Sequence, residues 1–444
     1  MKKLVYLKTF GCQMNQYDSA RMSALLEGCG YQETQRAEDA DLLLVNTCSV
    51  REKPEQKAYS TLGRFQRLKE RNPSVIIGMV GCVAQQEGQR LFDRFPLLDC
   101  VIGPGKIHLL LEVLEAVENR RGRLCETGFG TGPSSGLYIP AYRQVSAYVT
   151  IMEGCNNFCS YCIVPYVRGR ERSRGSGEIL AEIEALVQRG TREVVLLGQN
   201  VNSYGDNGTS ELTFPGLLAK IGHVQGLKRI RFTTSHPKDL SNDLIEAFVH
   251  IEQLCEHIHL PVQAGSNAVL ERMNRRYTRE EYLAKVTKLR KAVPEISIST
   301  DVMVGFPGES EQDFLKTLDL MREVEFDSTF SFKYGSRKGT AASQWNDDVP
   351  MEEKQERLAR LLQLQREITL KRNRALEGRV VEVLVEGQSQ SSPNELMGRT
   401  RQNRIVNFPG TSALVGRLVN LWIAKGLPNS LRGEIWPEGG QGHA

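Results

Sequence analysis

The sequence predicts an α/β protein in three parts: an N-terminal domain on a parallel sheet, a central partial (βα)6 barrel, and a small antiparallel β-barrel at the end. Three observations carry this expectation. The chain has 444 residues, about three times the roughly 150 of a common domain, which rules out a single small module. Apolar runs alternate with polar-faced helical stretches as far as Tyr334, the pattern of parallel strands wrapped by helices. After Gly378 that rhythm gives way to short strands divided by turns. With 40% hydrophobic and 25% charged residues, 40 Gly and 17 Pro, the composition excludes wholesale disorder and collagen-like repeats.

In the first domain, residues 1–120, four short apolar runs read as strands: Leu4 to Leu7, Leu42 to Val45, Val75 to Val80 and Cys100 to Ile102. Helical stretches such as Ser19 to Gly28 and Gln56 to Glu70 lie between them. Residues 121–143, with GFGTGPSSG at their centre, carry the turn formers of a linker. In the second domain, 144–376, the expected strands are Ala147 to Met152, Glu193 to Leu197, Arg229 to Thr233, His257 to Val262, Ile296 to Val304 and Thr329 to Tyr334. A charged amphipathic helix from Met351 to Leu376, with Leu358, Leu361, Leu362 and Ile368 on one face, reads as a connector docked on that barrel. The last domain, 377–440, contains VVEVLVEG, LMGRTRQNRIVNF and GRLVNLWIAKGLPNSLRGEI, which suit a β-barrel of the size that often grips RNA.

Lys and Arg number 57 against 53 Asp and Glu, a net +4, so overall charge neither demands nor excludes a polyanionic partner. No stretch approaches the roughly 18 unbroken apolar residues that would cross a bilayer. The opening MKKLVYLKTFGC also turns polar too soon for a secretory core, so a cytoplasmic chain with no membrane partner is expected. Ten cysteines in such a chain argue for metal or redox chemistry, because the cytosol keeps thiols reduced and a protein of this size needs no covalent staples.

The strongest chemical signal is Cys155-x3-Cys159-x2-Cys162, in MEGCNNFCSYC, directly after the first barrel strand. Three thiolates on one tight loop can ligate three irons of a four-iron, four-sulfur cubane and leave the fourth iron open to a chelating ligand. A zinc knuckle is the alternative, but structural zinc takes four ligands and no fourth Cys or His lies near this loop. Three more cysteines, Cys12, Cys48 and Cys82, each stand just beyond an N-terminal strand, at TFGC, NTC and VGC. In a parallel sheet they would converge at one edge, and the Gly before two of them permits close backbone approach. A second cubane is the implied occupant. Cys29, Cys100, Cys125 and Cys255 fit no such pattern and read as structural.

Polar or Gly-rich tails at other barrel strand ends would face the same chamber. From them the expected cofactor contacts are Gly198, Gln199, Asn200, Ser235, His236, Gln263, Asp301 and Gly305. Arginines cluster at Arg168, Arg170, Arg172 and Arg174, where they could meet RNA, bind a cofactor carboxylate or pack structurally. They recur at Arg399, Arg401 and Arg404, interleaved with Asn403, Asn407 and Phe408, a mixture suited to phosphates and unpaired bases of RNA.

Taken with VNTCSVREKPEQKAYSTLGR, GCVAQQEG, LLGQNVNSYG, RIRFTTSHP, HIHLPVQAGS, STDVMVGFPGE and GRTRQNRIVNF, these motifs resemble the methylthiotransferase family of radical S-adenosylmethionine enzymes over nearly the whole chain. Gln13-Met14-Asn15 after Cys12 matches the branch that acts on dimethylallyladenosine in tRNA, and the C-terminal segment resembles a TRAM domain. The resemblance implies two 4Fe-4S clusters. Cys155, Cys159 and Cys162 would hold the one whose open iron is chelated by S-adenosylmethionine, whose sulfonium is then cleaved to a 5′-deoxyadenosyl radical. Cys12, Cys48 and Cys82 would hold an auxiliary cluster carrying the incoming sulfur, which one S-adenosylmethionine methylates while another supplies the radical that activates carbon 2 of adenine. The implied partners are a prenylated tRNA anticodon loop, a low-potential electron donor of the flavodoxin or ferredoxin type, and a sulfur source. Two departures stand out: YGSRKGT at Tyr334 to Thr340 in place of the usual YSxRPGT, and Ala264 where Ser is commoner. Competing readings keep the chemistry but change the substrate to threonylcarbamoyl-adenosine tRNA or a ribosomal protein, or make the chain an iron–sulfur RNA-binding redox sensor.

Overall fold

The computed structural model describes residues 2–50, 52–119, 122–130, 144–206, 211–390 and 392–437. Most of the expected linker 121–143, and the end of the last domain, lie outside the described residues.

The N-terminal domain is one parallel sheet of six strands: β1 (Lys3–Thr9), β2 (Tyr31–Glu33), β3 (Leu42–Thr47), β4 (Ile76–Gly81), β5 (Cys100–Ile102) and β6 (Leu124–Glu126), in the order β2-β1-β3-β4-β5-β6. Every residue of β3 and β4 is buried, as a strand covered on both faces requires. Alternate side chains serve opposite layers. Leu43, Val45, Ile77 and Met79 pack with Leu62 and Phe65 of the helix Glu52–Arg71, while Leu42, Leu44, Ile76 and Val80 pack with Met22 and Leu26 of the helix Gln13–Gly28. Sequence reading missed β2 and β6, which at three residues each are too short for a periodic signal.

The central domain carries β7 (Ser146–Thr150), β8 (Met152–Glu153), β9 (Arg172–Ser173), β10 (Glu193–Leu197), β11 (Arg229–Thr233), β12 (His257–His259), β13 (Ser297–Val304) and β14 (Ser328–Lys333). Six of these form the partial barrel, hydrogen-bonded as two parallel halves, β11-β10-β7 and β12-β13-β14. The halves meet where Ile230 bridges Leu254. Two boundaries differ from expectation by more than one residue. The first barrel strand stops at Thr150, because Met152 and Glu153 turn away to pair with Ser173 and Arg172. β12 ends at His259 rather than Val262, with Pro261, which has no N–H for the ladder, just beyond.

The connector helix Met351–Arg374 lies on this barrel, but its docked face is mixed: Lys354, Arg357, Leu361, Gln365 and Ile368 are buried, whereas Leu362, expected on that face, is 47% exposed. Leu362 follows Leu361 by one residue, so a helical turn of about 100° carries it off the buried stripe. The last domain is a closed barrel of β15 (Val380–Gln388), β16 (Glu395–Thr400), β17 (Ile405–Pro409), β18 (Leu418–Gly426) and β19 (Leu431–Ile435) around Val383, Val385, Leu396, Val406, Phe408, Leu421 and Ile423. Its pairs are antiparallel except β17 with β19. Among the described residues no helix is long and apolar enough to cross a membrane.

Candidate active site

Cys12, Cys48 and Cys82 follow β1, β3 and β4, which are neighbours in the sheet, so its parallel sense brings the three thiols to one edge. Glycine is required there. Gly11 (φ +129°) and Gly81 (φ +99°) adopt left-handed backbone; a Cβ on Gly11 would strike the Cβ of Cys48, and one on Gly81 would strike Asn46 Oδ1 and Thr47 O. Beneath the edge, fully buried Asn15 donates through Nδ2 to Asn46 Oδ1 and Thr47 O, both at 2.9 Å, and Asn46 Nδ2 returns a bond to Asn15 O at 2.8 Å. Cys12 is exposed, while Cys48 and Cys82 are buried. A hydrogen bond from Cys48, aided by the Arg168 guanidinium, holds the Cys12 thiol down to about 6 against the opposing effect of desolvation. That same bond pushes Cys48 up, and burial raises Cys82.

The loop carrying Cys155, Cys159 and Cys162 is shaped by strained backbone that bonds from residues 272–275 hold in place. Gly154 (φ +78°) passes so close to Arg170 O that no side chain fits. Phe158 is left-handed at φ +47°, and Asn274 Nδ2 clamps its carbonyl at 3.0 Å and that of Asn157 at 3.3 Å. Ser160 donates its N–H to Met273 O and its hydroxyl to Arg272 O, at 3.1 and 2.8 Å. Buried Arg275 then reaches Cys159 Sγ with Nη1 at 3.3 Å, Pro261 O with Nη2 at 2.7 Å and the Tyr277 hydroxyl with Nε at 3.0 Å. Burial raises Cys155 and pushes Cys162 up to about 12, so both thiols must lose a proton to an incoming metal.

The two triads share a boundary. Cys82 packs on Ile163, which caps the short helix Val164–Val167 just after Cys162, and on Val167, its last residue. The N-terminal domain is held there by a buried pair, Arg168 Nη2 to Asp18 Oδ2 at 2.7 Å, with side chains 4% and 2% exposed. Met14 and Tyr17 of the same helix pack against Leu197 of β10. Among the described residues no three of His, Cys, Asp and Glu stand close enough to share one metal ion. A cubane asks something else, three thiolates on three different irons, and each triad offers three thiols with a cationic side chain against one of them, Arg168 or Arg275. The donor sets fit a cluster.

The strand-end residues divide into two kinds. Gln199 Oε1, Ser235 Oγ, His236 Nε2 and Gln263 Oε1 are buried with no hydrogen-bond partner among the described residues, a state that costs about 1–3 kcal/mol per group unless a ligand or water satisfies it. Burial, with the nearby Arg275 charge, keeps His236 neutral; its Nδ1 accepts from Lys238 N–H at 3.3 Å, which leaves the proton on the orphaned Nε2. The others are already engaged. Asn200 binds Ser203 Oγ at 2.9 Å, Asp239 Oδ2 at 2.7 Å and the His236 N–H at 2.9 Å; Gly198 abuts Met152, and Gly305 (φ +68°) abuts the Lys354 stem. Asp301 is half-buried, its Oδ1 3.6 Å from His259 Nε2.

Of the three arginines expected to face RNA, Arg401 and Arg404 fasten the last domain to the rest of the chain. Arg401 grips Glu256 with two bonds through Nε, at 2.8 and 3.0 Å, and the carbonyls of Glu252 and Leu254 through Nη2; Arg404 binds Asp327 and Asn373. From the barrel side, Arg231 donates to the carbonyls of Thr400 and Arg401 at 2.6 and 2.7 Å, and Arg229 to that of Arg399 at 2.6 Å. Acceptors inside the chain engage Nε and Nη2 of Arg401 and both Nη atoms of Arg404. Arg399, paired with Glu386 at 3.2 Å and 32% exposed, retains a solvent face. In the earlier cluster Arg168 and Arg174 are buried in ion pairs, Arg172 is half-buried, and Arg170 is exposed over the Phe158 ring. Sequence reading assigned no role to Asp18, Arg275 or Asn202; the two amide atoms of Asn202 are also buried without partners among the described residues. A charged residue in a run such as RMNRRY gives no sign that it will be buried against a thiol.

Residues 149–321 match the Radical SAM superfamily, residues 374–436 the TRAM domain, and residues 4–103 a group described as Uncharacterized protein family UPF0004. The fold is shared with a radical S-adenosylmethionine methyltransferase, TsrM, from Kitasatospora setae (TM-score 0.57, 15% identity, 77% of this chain and 75% of that one). It is also shared with the cobalamin-dependent S-adenosylmethionine radical enzyme OxsB (TM-score 0.52, 11% identity, 80% and 56%). The fold and the cysteine loop thus define a radical S-adenosylmethionine enzyme with two appended domains. The tRNA-2-methylthio-N(6)-dimethylallyladenosine synthase of Geotalea uraniireducens (strain Rf4) is 51% identical over 437 residues, covering 98% of this chain and 99% of its own length. Its namesake from Geobacter metallireducens is 52% identical over 436 residues, covering 98% of each, and that of Clostridium botulinum (strain Hall) 47% over 432, covering 97% and 96%. This chain belongs to the family of tRNA-2-methylthio-N(6)-dimethylallyladenosine synthases.

Proposed function

We propose that the protein adds a methylthio group to carbon 2 of an N(6)-dimethylallyladenosine beside the anticodon of tRNA, in the cytoplasm. It would do so with one 4Fe-4S cluster on each cysteine triad, with S-adenosylmethionine, and with a low-potential flavodoxin- or ferredoxin-type donor and a sulfur source as partners. The observation that carries the reading is the packing of Cys82 on Ile163 and Val167, which sets the two triads on either side of one short helix. When bound, the clusters and S-adenosylmethionine supply one-electron and sulfur chemistry, as an aromatic C–H with neither an acidic proton nor a leaving group requires.

The chain's own residues hold and enclose that chemistry. Arg168 and Arg275 offset the negative charge that accumulates when the thiols deprotonate. Gln199, Ser235, His236 and Gln263 offer unspent hydrogen-bonding atoms to a polar cofactor, the His236 Nε2–H as donor and the two amide oxygens as acceptors. Met14 and Tyr17, seated on Leu197, keep water from one side of the barrel mouth. Arg399 supplies a cationic contact for RNA on the last domain.

The test is mass spectrometry of nucleosides after anaerobic incubation of reconstituted protein with prenylated tRNA, S-adenosylmethionine, sulfide and reductant, with threonylcarbamoyl-adenosine tRNA in parallel. A methylthio product on the prenylated substrate is expected. If 5′-deoxyadenosine formed without it, the substrate would be wrong; if neither formed with both clusters loaded, the enzymatic reading would fall.

A further inference from the structure

On the inner face of the barrel most side chains are covered. Tyr148, Val195 and Leu197 lie under Met14 and Tyr17 of the N-terminal domain, and Arg229 and Arg231 under carbonyls of the last domain. Phe330, in the middle of β14, is 53% exposed. A single exposed aromatic is ordinary on an outer surface, but this one stands on the inner face of β14, the edge strand of its half-barrel, beside a chain of polar groups. It is directly opposite Asp301 in register, and its ring meets that of His259 edge-on at 5.7 Å between centroids. His259 faces Asp301 Oδ1 through Nε2 at 3.6 Å and Ser299 Oγ through Nδ1 at 3.0 Å, and His257 reaches the same hydroxyl at 3.2 Å. Gln263, whose N–H bonds Asp301 O at 2.9 Å, adds a buried Oε1 with no partner.

The strand that carries Phe330 is joined at its start to the last domain. Arg404 of that domain binds Asp327, which stands just before β14, and Arg372 of the connector helix reinforces it at 2.7 Å. The positive charge of Arg399 is felt at His257. A wet aromatic face, flanked by hydrogen-bonding groups and with Arg399 on the neighbouring domain, has the chemistry that receives an unstacked nucleobase.

We infer that Phe330 is the platform on which the substrate adenosine, with its N(6) isoprenoid, packs once splayed from the anticodon loop. Phe330 is a positioning and specificity residue for the proposed reaction, and the inference rests on that reading of the substrate. The isoprenoid strengthens the case, since it adds apolar surface that only an apolar wall rewards.

The experiment is binding of the cluster-loaded full chain to two anticodon stem–loop RNAs, one with N(6)-dimethylallyladenosine 3′ of the anticodon and one with adenosine, read by fluorescence anisotropy. Phe330→Ala should weaken binding of the prenylated RNA by about 5-fold to about 100-fold, the range of base–aromatic stacking. It should also shrink the preference for the prenylated RNA, and Phe330→Trp should restore both, with an unchanged melting temperature confirming the fold. Wild-type affinity and preference in Phe330→Ala would overturn the platform and leave the proposed function standing. A wild-type chain that bound neither RNA would overturn both.

Discussion

The two cysteine triads present the same three thiols by different means. Cys155, Cys159 and Cys162 are neighbours in sequence, and a loop bent through Gly154 and left-handed Phe158 aims them. Cys12, Cys48 and Cys82 come from three strand ends and meet only because β1, β3 and β4 lie side by side and run the same way. Their electrostatics differ as well. At the sheet edge a thiol–thiol hydrogen bond splits its pair, bringing Cys12 down to about 6 with help from Arg168 and pushing Cys48 up, while burial raises Cys82; in the loop burial raises Cys155 and sends Cys162 up to about 12. A triad in a loop depends on one clamp from residues 272–275, and a triad at a sheet edge depends on the whole domain.

The largest expected effect separates the triads outright. Replacing Cys155, Cys159 or Cys162 with Ala should abolish 5′-deoxyadenosine formation, measured by chromatography under strong reductant; persistent turnover would defeat the assignment. Replacing Cys12, Cys48 or Cys82 should instead leave cofactor cleavage in place, halve the bound iron and stop methylthio transfer.

Glycine substitutions sharpen the contrast without touching a thiol. Gly11→Ala forces a Cβ onto Cys48 at a φ of +129°, so iron analysis should show loss confined to the sheet-edge site. Equal loss from both sites would mean that the sheet edge is not an independent unit.

The shared boundary comes next in size. Asp18→Asn leaves the Arg168 guanidinium buried without its carboxylate, which costs about 3–5 kcal/mol for pairs of this kind and should appear as an early thermal unfolding of the N-terminal domain. At the far seam, Arg401→Ala should lower the melting temperature while leaving the salt dependence of tRNA binding unaltered. A phosphate-binding arginine would instead reduce the slope of log K against log salt by about 0.7–0.9. A reduced slope would return Arg401 to RNA contact.

The smallest effect lies outside both triads. Burial raises Glu309 to about 7 although Arg357 and the Gly305 N–H oppose the shift. Because its pKa in the folded chain lies above the ordinary carboxylate value of about 4.3, its contribution to stability is complete at low pH and declines as pH rises towards about 7. Glu309→Gln should therefore flatten the fall in stability across that window, as followed by denaturant titration at several pH values.

Sequence alone determined the strand rhythm, the three-part organisation and the local cysteine motif, since each rests on periodicity or short spacing. β10, β11 and β5 were legible to the residue because apolar runs bounded by turns leave few alternatives. The Gly before Cys12 and before Cys82 likewise announced a tight approach. Three-residue strands, the mixed face of the connector helix and the partners of each arginine were not legible, because a side chain's neighbours come from distant parts of the chain. Only the tertiary structure decided that Cys82 would rest on Ile163, that Arg401 and Arg404 would fasten domains, and that Phe330 would stay uncovered. Those outcomes turn on which surfaces pack together, and packing is a property of the assembled layers.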